Sequence, residues 1–409
     1  MIYLGLDWAE DHHDIAVMDE AGAVLGERRV DDTMGGVRAI HELVAMHEAD
    51  PSQVIVGTES VHALVPQALV AAGYSVYEIN PLASSRYRDR HHLSGAKSDK
   101  ADARMLADVV RTDRHNHRPF AGNSDLSEGV KVLAREHQSL IHNRQTLVNH
   151  LRSTLRNYYP GILVAFPGFA SSSERDSQDA MAVLEKAPTP ALGRKLTAGQ
   201  ITTALRTAGR KRSLQSRAEE VRDTLRKTQL EAPPIVTHAY GITVQANAAI
   251  VRTMTVQIQQ LEAELAVHFE KHPDANIILS LPGLGPVLGA RVLGEFGDAP
   301  NRYVDSRARK NYATTSPVTR ASGKLRIVSA RHGGNRRLGE TAVRWAFCAI
   351  QSSPGARCYY DELRGRQKTH SQAIRSVANR MVGILHACLE KRAPYDEKIA
   401  WPQTAEAAA

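Results

Sequence analysis

Cysteine, aromatic side chains and long apolar runs are all scarce in this chain, and each scarcity closes off a class of protein. The three cysteines, Cys348, Cys358 and Cys388, stand ten and thirty residues apart near the C-terminus. That spacing fits neither a zinc knuckle nor a CxxC redox pair, so buried reduced thiols are expected. No apolar stretch approaches the ~18 residues that cross a bilayer, and no signal-peptide pattern opens the chain, so a cytoplasmic protein without a membrane partner is expected. No glycine-rich loop carries a following GK[ST], which argues against a nucleotide-binding P-loop. What is present is ordinary: 409 residues, 42% of them apolar, enough to build two or three domains.

Base exceeds acid, 52 Lys and Arg against 44 Asp and Glu, for a net charge of +8. Such a surplus points to a polyanionic partner, and its distribution sharpens the point. Between Asn301 and Trp345, eleven Lys and Arg meet two acids, Asp305 and Glu340, a surplus of nine that exceeds that of the whole chain. Interleaved with Gly, Ser and Tyr, these cations suit contact with a nucleic-acid backbone. A solvated basic face is the plainer alternative.

The first part reads βββαβαβα, the element order of a ribonuclease-H-like α/β domain. Ile2 to Asp7, Asp14 to Asp19 and Ala23 to Val30 are short β-type runs joined by turn residues; Val37 to Glu48 has helical spacing; Val54 to Thr58 is a wholly apolar strand. A helix over 63–72 stopped by Gly73, a strand over 74–79 before Pro81, and a helix carrying Asp99 and Asp102 complete the pattern. Helical periodicity then runs from Ser127 to Tyr159. Short helices and loops are expected over 168–200 and a basic helix over 205–227, before Pro233-Pro234 breaks the chain. In the next long helix Ile250, Met254, Ile258, Leu261, Leu265 and Phe269 step by fours and threes, the seam of a helix packed on a partner, most simply within the chain. The expected division is 1–125 for the α/β domain, 126–275 for a helical, coiled-coil region and 276–400 for a mainly α C-terminal domain.

Four carboxylates carry the chemistry. Asp7 and Glu59 end apolar strands, while Asp99 and Asp102, three apart, share one helix face. Acids held together on rigid elements repel unless a cation neutralises them, and hard oxygen ligands suit Mg2+, with Mn2+ as a substitute. Each acid alone is weak, since strands often finish in Asp and first-turn acids suit the helix dipole. Asp11 and Asp14 are kept only as substitutes. His12 and His13 lie close enough to reach the same site for phosphate contact or proton transfer. Lys97 and Arg104, flanking the acid pair, are placed to grip phosphate oxygens.

In the C-terminal part, Pro282-Gly283-Leu284-Gly285 resembles the turn of a helix-hairpin-helix, whose amides, at Gly283 and Gly285, bind a DNA phosphate. Ser322 stands among Arg320, Lys324 and Arg326, cations suited to a scissile phosphate and to the charge that builds as a hydroxyl attacks it. No general base is evident nearby; His332 is the one local imidazole. Arg331, Asn335, Arg336 and Arg337, around Gly333-Gly334, read as a phosphate-contacting loop.

Together, Gly5-Leu6-Asp7-Trp8-Ala9 with His13, Glu59, Lys97-Ser98-Asp99-Lys100-Ala101-Asp102-Ala103, Leu281-Pro282-Gly283-Leu284-Gly285, Tyr312 to Pro317, Ser322-Gly323 and Gly334-Asn335-Arg336-Arg337-Leu338 resemble the DEDD transposases of bacterial insertion sequences, the insertion-sequence one-ten family. The resemblance implies a RuvC-like N-terminal domain, a coiled-coil region and a C-terminal transposase domain. It implies that Asp7, Glu59, Asp99 and Asp102 bind divalent metal and that Ser322 attacks DNA to form a covalent phosphoserine link. It also implies donor and target DNA as substrates, a guide RNA pairing with both, and homodimers that assemble into a tetramer, in the bacterial cytoplasm at the nucleoid. Ser98 stands where Thr is commoner in the family, and residues 160–235 carry no motif that maps onto it.

Three readings compete. A RuvC-type junction endonuclease would activate water with two metals and form no covalent link. A non-catalytic nucleic-acid binder would carry these acids as surface features only. An actin-like sugar kinase shares the early strand order but would need a second phosphate-binding Gly-rich strand pair.

Overall fold

Alternation within the first strand decides how the N-terminal part is built. Ile2, Leu4 and Leu6 face one way and Tyr3, Gly5 and Asp7 the other, and residues 2–6 are buried, so the sheet must be covered on both sides. The computed structural model describes residues 1–61, 63–91, 98–120, 122–170, 174–300, 302–323 and 325–402. It divides into two compact units, Met1–Asn123 with the short return Ala299–Arg302, and Ser124–Asp298 with the chain from Tyr303 onward.

The first unit contains strands β1 (Ile2–Trp8), β2 (His12–Met18) and β3 (Val24–Asp31), helix α1 (Met34–Ala45), β4 (Val54–Thr58), α2 (Leu64–Ala71), β5 (Ser75–Glu78), α3 (Pro81–His91), α4 (Asp99–Thr112) and the two-residue β6 (Arg118–Pro119). They form one sheet in the order β3-β2-β1-β4-β5-β6. The pairs β1–β2 and β2–β3 are antiparallel, while β1–β4 and β4–β5 are parallel. This mixed α/β sheet is consistent with the ribonuclease-H-like expectation. One face packs Leu4, Leu6 and Val56 against Ile40, Val44 and Leu69 of α1 and α2. The other packs Tyr3 and Ile55 against Met105, Leu106 and Val109 of α4.

Helix α4 lies on the sheet with almost nothing between the backbones. Gly5 and Gly57 are partners across the β1–β4 pair. A Cβ on Gly5 would sit 1.8 Å from the Ala103 carbonyl oxygen, and one on Gly57 2.6 Å from that of Leu106. Two strand glycines therefore fix the depth of the helix that carries the acid pair.

Several expectations shift. Strand β2 starts two residues earlier than read, because His12 and His13 continue its alternation. Helix α1 starts at Met34, three residues early, with Thr33 Oγ1 accepting from the Gly36 N–H at 3.2 Å as its cap. Helix α3 was not anticipated; Asn80 Oδ1 accepts from the Leu82 N–H at 2.9 Å and Pro81 opens it.

The second unit is mostly helical. Its frame is an antiparallel pair, Asp125–Tyr158 and Pro234–Glu270, packed within the chain as expected. The seam read from the sequence holds at Ile258, Leu265 and Phe269 and shifts towards the start of the helix. Gly241, Val244, Ala248, Val251, Ile258, Leu265 and Phe269 are buried, stepping by three, four and seven, whereas Ile250 is 46% exposed. The apolar repeat carries two overlapping stripes, and the smaller residues lie inside because they let the helices approach.

Against one end of the pair pack the helices Glu174–Lys186, Pro190–Lys195, Ala198–Thr207 and Leu214–Arg226. The single basic helix expected over 205–227 is broken between Thr207 and Leu214, where Gly209 and Ser213 take φ of +85° and +51°. Against the other end pack the helices from Ala275 to Ala400, around the buried Trp345, whose Nε1 donates to the Pro282 carbonyl at 2.9 Å. A hairpin, Val318–Ser322 with Leu325–Ser329, interrupts this helical region. All three cysteines are free and none is buried as expected, Cys348 and Cys388 being half-buried and Cys358 exposed. Among the described residues no helix is long and apolar enough to cross a membrane.

Candidate functional site

Strand parity puts Asp7, Glu59 and Asp14 on one face of the sheet. Asp7 shares the face of Tyr3 and Gly5, and Glu59 continues the parity of Ile55 and Gly57, so both follow the face of the sheet on which α4 rests. The register Leu6↔Thr58 puts them at the same level of adjacent parallel strands. The first turn of α4, capped by the Ser98 hydroxyl, holds Asp99 and Asp102. Asp14, directly opposite Asp7 across β1 and β2, lies on that face as well.

The partners of each acid differ. Asp102 is 5% exposed and pairs with Arg88 of α3 at 2.8 Å. Asp14, 3% exposed, takes two bonds from Arg29, the shorter 2.6 Å, and the same guanidinium reaches Asp99 at 3.2 Å. The Ser84 hydroxyl of α3 donates to Glu59. Guanidinium groups thus balance Asp14, Asp99 and Asp102 here, and hard oxygen donors of this kind fit a divalent cation as well.

Among the described residues, His12, Asp14 and Asp99 offer ligand atoms that all lie within 4.8 Å of one another. That trio brings together one acid of the expected quartet with two residues given a lesser place. His13 lies on the other face, fully buried, with Nε2 3.1 Å from Asp32 Oδ1, and so does not reach the site. Asp11 is exposed in the turn between β1 and β2. Arg104 forms a bidentate pair with Glu27, which pulls the Glu27 carboxyl below its usual range. Lys97 lies outside the described residues.

Sequence reading missed α3 and with it Arg88 and Ser84. Asn80-Pro81, a cap followed by a first-turn proline, was the available signal. It also missed the docking role of Gly5 and Gly57, although a lone glycine inside an apolar strand is a sign of close backbone approach.

In the second unit Ser322 is exposed at the end of its strand, opposite Leu325, with Gly323 at φ +56° in the turn. Arg320 shares its face by strand parity; Arg326, opposite Ala321, lies on the other. Lys324 is outside the described residues. The turn containing Gly283, at φ +80°, packs so tightly on the next layer that a Cβ would lie 2.6 Å from the Ala349 nitrogen. Gly285 caps the helix Pro286–Phe296. Asn335 caps the helix Arg336–Ser352 and donates to Glu295 at 2.6 Å; Glu295 is itself held by Arg135 at 2.8 and 2.9 Å. Arg337 donates to Ser139 and to the Arg135 carbonyl, Arg331 donates to Ser316 at 3.1 Å, and Arg336 is exposed. The basic segment comprises two helices and a hairpin, with Arg336 and Arg337 opening the second helix, and part of its charge serves packing.

Residues 4–160 match a family model described as "Transposase", and residues 275–361 match one described as "Transposase IS116/IS110/IS902 family". The mini-circle putative transposase for IS117 of Streptomyces coelicolor is 40% identical over the whole of this chain and 98% of its own length. The chain belongs to the IS110 family of transposases. It is thus an enzyme of DNA cleavage and rejoining. Uncharacterized proteins of two insertion elements extend the match: that of IS110 from the same species is 26% identical, covering 97% of this chain and 96% of its own, and that of IS900 from Mycobacterium paratuberculosis is 28% identical, covering 100% and 99%. Asp7, Glu59, Asp99 and Asp102 of the transposase fall inside the first matched segment, and the Ser322 hairpin inside the second.

Proposed function

We propose that this transposase is an RNA-guided, site-specific DNA recombinase in which Asp7, Glu59, Asp99 and Asp102 of a RuvC-like domain hold Mg2+ and Ser322 is the nucleophile. The observation that carries the reading is the shared face: Asp7 and Glu59 at the ends of adjacent parallel strands, on the side where two glycines seat the helix bearing Asp99 and Asp102. The metal supplies Lewis-acid stabilisation of phosphate charge. Asp14 and His12, brought to Asp99, extend the donor set.

The Ser322 oxygen attacks the scissile phosphorus, its proton leaves to solvent or base, and the phosphodiester oxygen departs as the new strand end. A hydroxyl of the partner strand then reverses the step, so one phosphodiester is exchanged for another without external energy. Exposure of Ser322 at a hairpin tip and the shared face of Arg320 support that role. Arg336, exposed beside the Asn335 cap, is the best placed of the loop cations for a phosphate. Family resemblance supports the guide RNA, which would pair with donor and target DNA while the protein holds backbone and shape. It likewise supports dimers assembling into a tetramer, action at the cytoplasmic nucleoid, and a functional division at 1–125, 126–275 and 276–400.

The test incubates the protein with Mg2+, RNA from the element's flank and labelled donor and target DNA, and looks for an adduct that survives denaturation. An adduct lost in Ser322→Ala and in Asp102→Asn is expected. Nicked DNA without adduct, unchanged in Ser322→Ala, would replace the serine step with RuvC-type hydrolysis. Binding without cleavage under every condition would leave a non-catalytic binder.

A further inference from the structure

Within the second unit, a cavity of about 820 Å³ is walled by the apolar side chains of Ile141, Leu288, Phe347 and Ile374 and by the guanidiniums of Arg291, Arg344 and Arg375. Neither Ser322 nor any of the four acids lines it. Arg291 is 5% exposed; its Nη2 donates to His137 Nδ1 at 3.2 Å, and its buried Nε has no partner. A bond accepted at Nδ1 places the proton of neutral His137 on Nε2, a second buried donor without a partner. Burial and the nearby charge of Arg344 both push the Arg291 pKa down, so the two guanidiniums repel one another. Glu262 is the single acid among the described lining residues, and it is half exposed and 4.0 Å from His137 Nε2. Three guanidiniums thus face one carboxylate, and two buried donors make no hydrogen bond. Buried donors and uncancelled positive charge of this kind suit an acceptor-only anion such as a phosphodiester.

The apolar wall adds a second requirement. Phe347 is 49% exposed, whereas the five other phenylalanines are buried or half-buried. An exposed ring beside converging arginines is how single-stranded nucleic acid is held, base on ring and phosphate on guanidinium. A neighbouring cavity of about 730 Å³ shares Val343, Arg344 and Arg375 and adds Arg331, His332 and Arg336, so cationic lining continues along the surface. We propose that the first cavity receives one unstacked nucleotide of a single strand, its base against Phe347 and its phosphate on Arg344 and Arg375 with Arg291 behind them. The polymer's identity rests on the transposase reading; the nucleotide chemistry rests on the cavity.

Arg344, Phe347 and Arg375 are exposed, so replacing them leaves the core untouched. Fluorescence anisotropy of a short labelled single strand on the full-length protein tests the proposal, with a nucleoside monophosphate and inorganic phosphate as competitors. Phe347→Ala and Arg344→Ala should each weaken binding roughly tenfold, the nucleotide should compete better than phosphate, and Phe347→Ala should erase that advantage. Arg366→Ala, an exposed arginine paired with Glu362 outside both cavities, should bind as the parent does. Parent-like binding by every cavity variant, or equal competition by phosphate and nucleotide, would overturn the proposal. If the variants lose binding while the parent forms no adduct in the recombination assay, the strand-transfer chemistry fails and the cavity stands. An adduct with parent-like binding by the variants overturns the cavity alone.

Discussion

Single side chains carry the most local predictions. A Cβ at Gly5 would fall inside the Ala103 carbonyl, with strand and helix backbones on either side and no flexible group to yield. Gly5→Ala should therefore destabilise the first unit by on the order of 3 kcal/mol, read as a lowered denaturation midpoint and lost cleavage. His137 sets a pH dependence. Burial first, then the charges of Arg291 and Arg144, hold its pKa down at about 4. The unfolded chain, with a histidine near 6.5, binds a proton that the folded form refuses until pH approaches 4, so this contribution is complete above 6.5 and falls as pH drops through that window. The full loss is on the order of 3 kcal/mol. Denaturant midpoints measured between pH 7 and 4 should fall less steeply in His137→Gln than in the parent.

At the scale of elements, the long helix Pro234–Glu270 tests which of its two apolar stripes is the seam. Ile258 is buried and Ile250 is 46% exposed. Ile258→Ala should cost about 2–5 kcal/mol and Ile250→Ala under about 1 kcal/mol, compared by chemical denaturation; equal costs would restore the seam read from the sequence. The Ser322 hairpin is the opposite case. Its strands are exposed along nearly their whole length, including Leu325, Ile327 and Val328. Such apolar exposure contributes little to folding and marks a surface for contact.

For the whole molecule, the divalent-metal requirement is the sharpest expectation. Chelation should abolish strand cleavage, Mn2+ or Mg2+ should restore it, and DNA binding measured without metal should persist, since the cationic segment lies in the second unit and the acids in the first. Asp102→Asn should reproduce the chelated state at any metal concentration. Loss of binding together with cleavage would mean that the acids serve folding instead, because Asp102 already has a cation, Arg88, at 2.8 Å.

The central strands β1 and β4 were legible because a sheet covered on both faces demands apolar residues along them, and turn residues punctuate the chain between strands. Asp7 and Glu59 were legible because they end such runs. Other features depended on long-range geometry that no local pattern carries. Arg29 and Arg88 reach their acids from other elements, 15 and 14 residues away in sequence from Asp14 and Asp102. His12 joined Asp14 and Asp99, and His13 turned to Asp32, because adjacent strand residues face opposite sides of the sheet. By itself, then, the sequence determined the first five strands of the first unit, the positions of the acids along the chain and the family to which the chain belongs. Tertiary structure alone decided which carboxylates meet, which stripe of the long helix is buried and which arginines remain uncancelled, because those outcomes depend on how closely separate backbones approach.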